Sequence, residues 1–225
     1  MKEQIEIQQS LIFSTPVWET NISSLVDSNE LVDYAYELYE SGKSVKKSNR
    51  LGFHSDYINT NAESSDSRFK LVLDEVVGLC KSIVEDQLFH SIEDKAFSLE
   101  AWANINSKYS YNQQHIHGGN CLLSAVYYAQ VPKNSGEFYF KQDNKDSDCV
   151  ARFGIDKFNP LGTAIYRMPK AGDIYVFPSW VDHGVEQNLS DEDRISFAFN
   201  VKCERIDPNQ RQYDSNSDNT YSYAY

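Results

Sequence analysis

FSLEAWANINSKYSYNQQHIHGGNCLLSAVYYAQV, residues 97–131, is where the chain changes character. Short runs rich in aromatic and β-branched residues, separated by turn-formers, replace the helical periodicity of what precedes them. Such runs read as strands. The pattern continues in EFYF, TAIYRMP, DIYVFP and RISFAFNVK, which places a compact β core over residues 97–203.

Upstream, apolar residues recur at helical spacing. Leu31, Val32, Tyr34, Ala35, Leu38 and Tyr39 form one stripe, with Ser23, Ser24 and Asp27 available as caps and Gly42 as a stop. A second, broader stripe runs through DSRFKLVLDEVVGLCKSIVEDQLFH, residues 66–90, where His90 suits the negative end of the helix dipole. Residues 24–91 are thus expected to be helical support for the core. Between the helices, residues 43–66 are polar and turn-rich, with a basic run at Lys43, Lys46, Lys47 and Arg50, and are expected to be mostly loop. EIQQSLIFSTPVWETNI, near the start, reads as one or two edge strands around Pro16. The tyrosine-dotted segment 206–225 has too little aliphatic content for a core of its own and is set apart as a polar tail. Residues 1–205 are expected to be one domain.

The chain has 225 residues, 21 Lys+Arg and 33 Asp+Glu, for a net charge of −12. That balance disfavours phosphate backbones and anionic lipid as partners. No stretch approaches the roughly 18 apolar residues of a membrane span, and the N-terminus has no signal-like apolar core, so a cytoplasmic protein is expected. Cys80, Cys121, Cys149 and Cys203 are widely spaced without a CxxC pair, which suits reduced thiols. A homodimer is the base-rate expectation for assembly.

Chemistry concentrates in the β half. On an extended strand, residues i and i+2 share a face, so His115 and His117 can reach one ion while Ile116 points away. His183 arrives after a strand and a corner, where a third ligand would complete one face of an octahedron. The plain alternative is two surface histidines beside the Gly118–Gly119 turn and an unrelated third. Arg194 follows a turn-forming stretch, NLSDED. If its strand lies antiparallel beside that of His183, the guanidinium fork faces the same interior and can bind a carboxylate, with Ser196 on the same face adding a hydroxyl. The alternative is a surface arginine in a hairpin.

WANIN, HIHGGN, LSAVYY, SGEFYF, AGDIYVFPSWVDHGVEQN and DRISFAFN, within residues 100–202, together resemble the Fe(II)- and 2-oxoglutarate-dependent oxygenases. The resemblance implies a double-stranded β-helix, a jelly-roll or cupin-like core with the N-terminal helices packed on it. It implies Fe(II) at His115, His117 and His183, and 2-oxoglutarate held by Arg194 and Ser196, with dioxygen and an organic substrate as the other partners. The reaction implied is hydroxylation with release of succinate and carbon dioxide. Asn104, Asn106 and Tyr128 are the next candidates for cofactor contacts; core packing is the alternative for Tyr127 and Tyr128. Trp102 and Trp180 are expected in the core, and His54 is expected to be exposed unless it meets substrate.

One departure from the family pattern stands out. His117 occupies the place of the usual Asp or Glu ligand, which leaves the site one negative charge short and disfavours a halogenase. Asp182 and Glu137 are the carboxylates that could substitute, although Asp182 should point away from its neighbour His183. Two rivals remain. A three-histidine cupin-type dioxygenase would need no cosubstrate, and a non-enzymatic β-barrel binding a small ligand would need no metal. Neither requires a carboxylate clamp at the spacing of Arg194 and Ser196.

Overall fold

The computed structural model describes residues 14–42, 44–61, 63–88, 93–142 and 164–205. The expectations for residues 1–13, His90, Cys149 and the 206–225 tail lie outside them.

Mostly β, the described chain has two antiparallel sheets and two helices. In chain order the elements are β1 (Trp18–Asn21), α1 (Ser28–Ser41), β2 (Asn49–Arg50), β3 (Phe53–His54), α2 (Ser67–Ile83) and a π-helical turn (Val84–Leu88). There follow β4 (Lys95–Asn106), β5 (Tyr111–His115), β6 (Cys121–Gln130), β7 (Phe138–Lys141), β8 (Ala164–Arg167), β9 (Asp173–Pro178), β10 (Asp182–Val185) and β11 (Arg194–Arg205). One sheet has six strands in the order β1-β9-β6-β11-β4-β3, and the other has five in the order β2-β5-β10-β7-β8. None of the described helices is long and apolar enough to cross a membrane.

Both helices start where side-chain oxygens cap them. Asp27 accepts from the backbone N–H of Asn29, and Asp66 from that of Arg68. Their apolar stripes, Leu31 and Ala35 on α1 and Phe69, Val72, Leu73, Val76, Cys80 and Ile83 on α2, are fully or nearly buried against one face of the six-stranded sheet. The sheet side of that core is strictly alternating: Ala101, Ala103 and Ile105 from β4, Leu123, Ala125, Tyr127 and Ala129 from β6, and Ile195, Phe197, Phe199 and Val201 from β11. Phe69 stacks on Phe199 with ring centroids 5.7 Å apart and also meets Phe197 at 5.3 Å. A hydrogen bond between the Ser28 and Tyr127 hydroxyls (3.0 Å) and one from Tyr36 to Asp193 (2.8 Å) fix α1 on the sheet.

Because strand side chains alternate, the residues between those core positions face the other way, toward the five-stranded sheet. There Val126, Tyr128, Tyr175 and Phe177 meet Phe138 and Phe140 in a second apolar cluster. Trp102, Asn104, Asn106, Arg194, Ser196, Ala198 and Asn200 line a cavity of about 710 Å3 beside it.

This arrangement refines one expectation and corrects another. The described residues of 43–66 are mostly loop, as expected, but the segment is not all loop. It contains β2, which pairs with β5 of one sheet, and β3, which pairs with β4 of the other. The chain steps between sheets at Leu51, whose φ of 61° makes the tight reversal. Two-residue strands are too short to show alternation, so composition alone reads them as loop. The correction concerns β10 and β11, which are not neighbours but lie in different sheets. Asn188 organises the crossing between them: fully buried, it donates to the carbonyls of Asn106 and Glu192, both at 2.8 Å, and accepts from Ser190 N–H.

Candidate active site

The three histidines converge at one end of the cavity. His115 closes β5 directly opposite His183 on β10, with ring centroids 4.3 Å apart. His117 lies past the end of β5 and not on it, so strand alternation is not what aims its ring. Its position comes instead from a backbone bond, His117 N–H to the Ser179 carbonyl at 2.9 Å. Ser179, buried within the FPSW corner, in turn donates from Oγ to the Cys121 carbonyl at 2.6 Å and from N–H to the Leu122 carbonyl at 3.1 Å. The corner after β9 is thereby stitched both to His117 and to the start of β6.

Candidate ligand atoms of the three rings all lie within 4.8 Å of one another. His117 Nε2 and His183 Nε2 are 3.3 Å apart. Imidazole nitrogens about 2.1 Å from one ion and at right angles stand about 3 Å apart, so the spacing fits a shared metal. Nδ1 of His115 faces the Gln113 carbonyl at 2.7 Å, and Nδ1 of His183 faces the Val181 carbonyl at 2.8 Å. A carbonyl only accepts, so each Nδ1 carries the proton and each Nε2 keeps its lone pair for a metal. Burial holds all three rings neutral. It pushes His117 down to about 4, His183 well below the usual imidazole range, and His115 below it too, with charge repulsion from His115 adding at the other two.

Phe138 and Phe177 wall His183, at centroid distances of 6.0 and 4.6 Å. Among the described residues no carboxylate joins the cluster. Asp182 accepts from Gln114 Nε2 at 3.0 Å, outside it, as expected for the neighbour of an inward-facing strand residue.

Arg194 faces this cavity from the opposite sheet and is 1% exposed. Its Nη1 is held by main-chain carbonyls: that of Ser135 closely, and those of Gly136 and Glu186 at 3.4 and 3.5 Å. Gly136 makes this approach with φ +86°, where a Cβ would stand 2.6 Å from the Glu186 carbonyl oxygen. Nη2 is buried with no partner among the described residues. Burial pushes the guanidinium down to about 10, so it is cationic at neutral pH. An unpaired buried donor on a cation costs several kcal/mol, on the order of 3 or more, unless a ligand satisfies it.

The register of the six-stranded sheet places the other candidates. Arg194 is opposite Asn106, Ser196 is opposite Asn104 on one side and Tyr128 on the other. Tyr128 is 1% exposed and lines the cavity, whereas Tyr127 points to the helices. Asn106 is committed to structure: its Nδ2 donates to Asn112 Oδ1 at 3.1 Å, joining the two sheets. Asn104 Oδ1 is buried without a partner.

Two aromatic positions, His54 and Trp180, differ from expectation, and Trp102 is buried as expected but on the cavity side. His54 is 6% exposed and stacks on Trp102 at 5.3 Å and 7°, because β3 brings it to the cavity. Trp102, on the cavity face of β4, lies against His117 at 6.0 Å and is not part of the helix-side core. Trp180 is 61% exposed at the corner after β9, where the chain turns outward.

Comparison with known proteins gives a family match and a shared fold. Residues 100–200 match a family model described as "Putative 2OG-Fe(II) oxygenase". That match runs from the middle of β4 into β11, somewhat under half of the chain. A prolyl-4-hydroxylase from Pseudomonas putida shares the fold with TM-score 0.59 at 15% identity, covering 84% of this chain and 93% of that one. SnoN, an alpha-ketoglutarate-dependent epimerase from nogalamycin biosynthesis, superimposes with TM-score 0.57 at 14% identity, covering 93% and 90%. A prolyl hydroxylase from Trichoplax adhaerens gives TM-score 0.55 at 13% identity, covering 83% of each chain. At these identities the likeness is one of fold. No curated protein sequence matches the chain.

Proposed function

We propose that residues 1–205 form one Fe(II)- and 2-oxoglutarate-dependent oxygenase domain on a double-stranded β-helix made of β4 to β11, four strands in each sheet. In this reading His115, His117 and His183 hold the iron, and Arg194 Nη2 takes the distal carboxylate of 2-oxoglutarate. The observation that carries it is the lone buried Nη2, a cationic donor without a protein acceptor, in the same cavity as three neutral imidazoles. A dicarboxylate is the ligand that answers both ends.

Iron bound at this site supplies the dioxygen chemistry by which 2-oxoglutarate goes to succinate and carbon dioxide while the organic substrate is hydroxylated. The protein's residues bind, orient and exclude water. Ser196 Oγ and Tyr128 Oη are the hydroxyl donors beside Arg194, and burial keeps the tyrosine protonated. Phe138, Phe140, Tyr175 and Phe177 keep one wall dry, which strengthens each charge-assisted contact. The cosubstrate's own negative charge makes up for the missing carboxylate ligand.

Anaerobic titration of Fe(II)-loaded protein with 2-oxoglutarate tests the reading, followed by the weak visible charge-transfer band of a keto acid chelated to ferrous iron. The band is expected in wild type and should require at least tenfold more ligand in Arg194→Ala, since a charge-assisted pair contributes about 1.5–3 kcal/mol. The all-histidine ligand set also suits a dioxygenase without cosubstrate, and iron bound tightly with no band would favour that reading instead.

A further inference from the structure

The row of residues on the cavity face of the six-stranded sheet extends beyond the proposed clamp. Across β3, β4, β11 and β6, His54 stands opposite Asn104, Asn104 opposite Ser196, and Ser196 opposite Tyr128. Direct cross-strand partners share a face with Cβ atoms about 5 Å apart, and all four line the cavity. The row has two chemically different halves. Ser196 and Tyr128 offer hydroxyl protons, as a carboxylate requires.

Asn104 and His54 offer the reverse. Asn104 Oδ1 is buried and unpartnered, and a carboxylate has no proton to give it. His54 Nδ1 lies 2.7 Å from the Ser55 carbonyl, so it bears the ring proton and Nε2 is an acceptor. Among the described residues Nε2 has no protein partner. The ring is fixed flat on Trp102, itself packed on His117, so the acceptor is held two ring contacts from the histidine cluster.

We propose that His54 Nε2 and Asn104 Oδ1 are the substrate-positioning half of the cavity, and that the substrate presents neutral N–H donors of the carboxamide class to them. Its placement beside a reaction centre rests on the oxygenase reading above. Neutral donors are favoured over an ammonium group because Lys47, lining the same cavity, already places a positive charge near the His54 ring.

Saturation-transfer NMR on the metal-free full chain, with benzamide and N,N-dimethylbenzamide as probes, tests this without relying on iron or turnover. Benzamide should bind about three- to tenfold more tightly than its dimethyl analogue, the range one or two buried hydrogen bonds supply. His54→Phe keeps a flat ring on Trp102 and removes one of the two acceptors, so it should shrink the difference, His54→Gln should retain more of it, and His54→Phe combined with Asn104→Leu should abolish it. If His54→Phe does not fold, Asn104→Leu serves for the same comparison. Equal binding of the two amides in wild type, binding of neither, or a difference undiminished by loss of either acceptor overturns the proposal. An amide preference without the iron–keto-acid band would instead leave this site standing and sink the oxygenase reading.

Discussion

His115 and His183 are register partners across the β5–β10 ladder, their rings 4.3 Å apart and each Nδ1 bonded to a main-chain carbonyl two residues before it. Two imidazoles with their tautomers already set form a preorganised chelate. His183→Ala should weaken Fe(II) binding by more than about 100-fold, beyond the usual effect of losing an outer-shell partner. Calorimetric titration measures this. His183→Ala also removes a buried ring packed against Phe138 and Phe177, so the unfolding midpoint of the metal-free protein should fall as well, which separates the fold effect from the metal effect.

The depressed histidines make the metal-free protein sensitive to acid. His54, His115, His117 and His183 all have folded-state values below the ordinary 6.5, and burial is the leading cause in each. As pH falls through 6.5 the unfolded chain takes up protons that the fold refuses. Stability is therefore fully present above that pH and declines below it, down to about 4 for His117. Each ring contributes a slope of up to about 1.4 kcal/mol per pH unit. Urea unfolding in EDTA at pH 7.5, 6.5 and 5.5 should show the midpoint falling, most steeply over the last interval.

Gly136→Ala should damage both fold and site. The residue has φ +86°, and the added methyl would meet the Glu186 backbone, which is itself part of the carbonyl set around Arg194. A loss of about 2 kcal/mol or more is expected, together with weaker 2-oxoglutarate binding. Thermal unfolding and the anaerobic titration read the two effects separately.

Tyr127 and Tyr128 are adjacent in sequence and opposite in consequence. Tyr127→Phe removes the hydrogen bond to Ser28 and should cost about 1 kcal/mol of stability without altering 2-oxoglutarate affinity. Tyr128→Phe should leave stability nearly unchanged and raise the 2-oxoglutarate dissociation constant about three- to tenfold. Equal effects of the two changes on affinity would remove Tyr128 from the proposed clamp.

Long elements with a clear period were legible in the sequence: both capped helices, and the strands of the core. The convergence of His115, His117 and His183 was legible from spacing, and so was the inward face of Arg194. What was not legible depends on contacts too distant or too short to leave a periodic trace. β2 and β3 have two residues each, so nothing distinguished His54 from a loop histidine. Arg194 reaches the cavity from the sheet facing His183, because the crossing at Asn188 is set by hydrogen bonds to residues far along the chain. Trp102 has the same strand chemistry whichever face it takes, and only the register tells which. His117 was assigned the right destination by strand alternation, but the chain has left the strand by then and Ser179 holds it.

The strict alternation along β4, β6 and β11 divides these strands into two inheritances. Through their central stretches, 102–106, 124–128 and 194–200, the even-numbered side chains face the cavity and the odd-numbered ones pack toward the helices. Substitutions at even positions can change which molecule is accepted while the odd ones preserve foldability, so this architecture can diversify its chemistry one residue at a time. Inserting or deleting a single residue within any of the three strands would exchange the two sets, and no gradual path leads through that change.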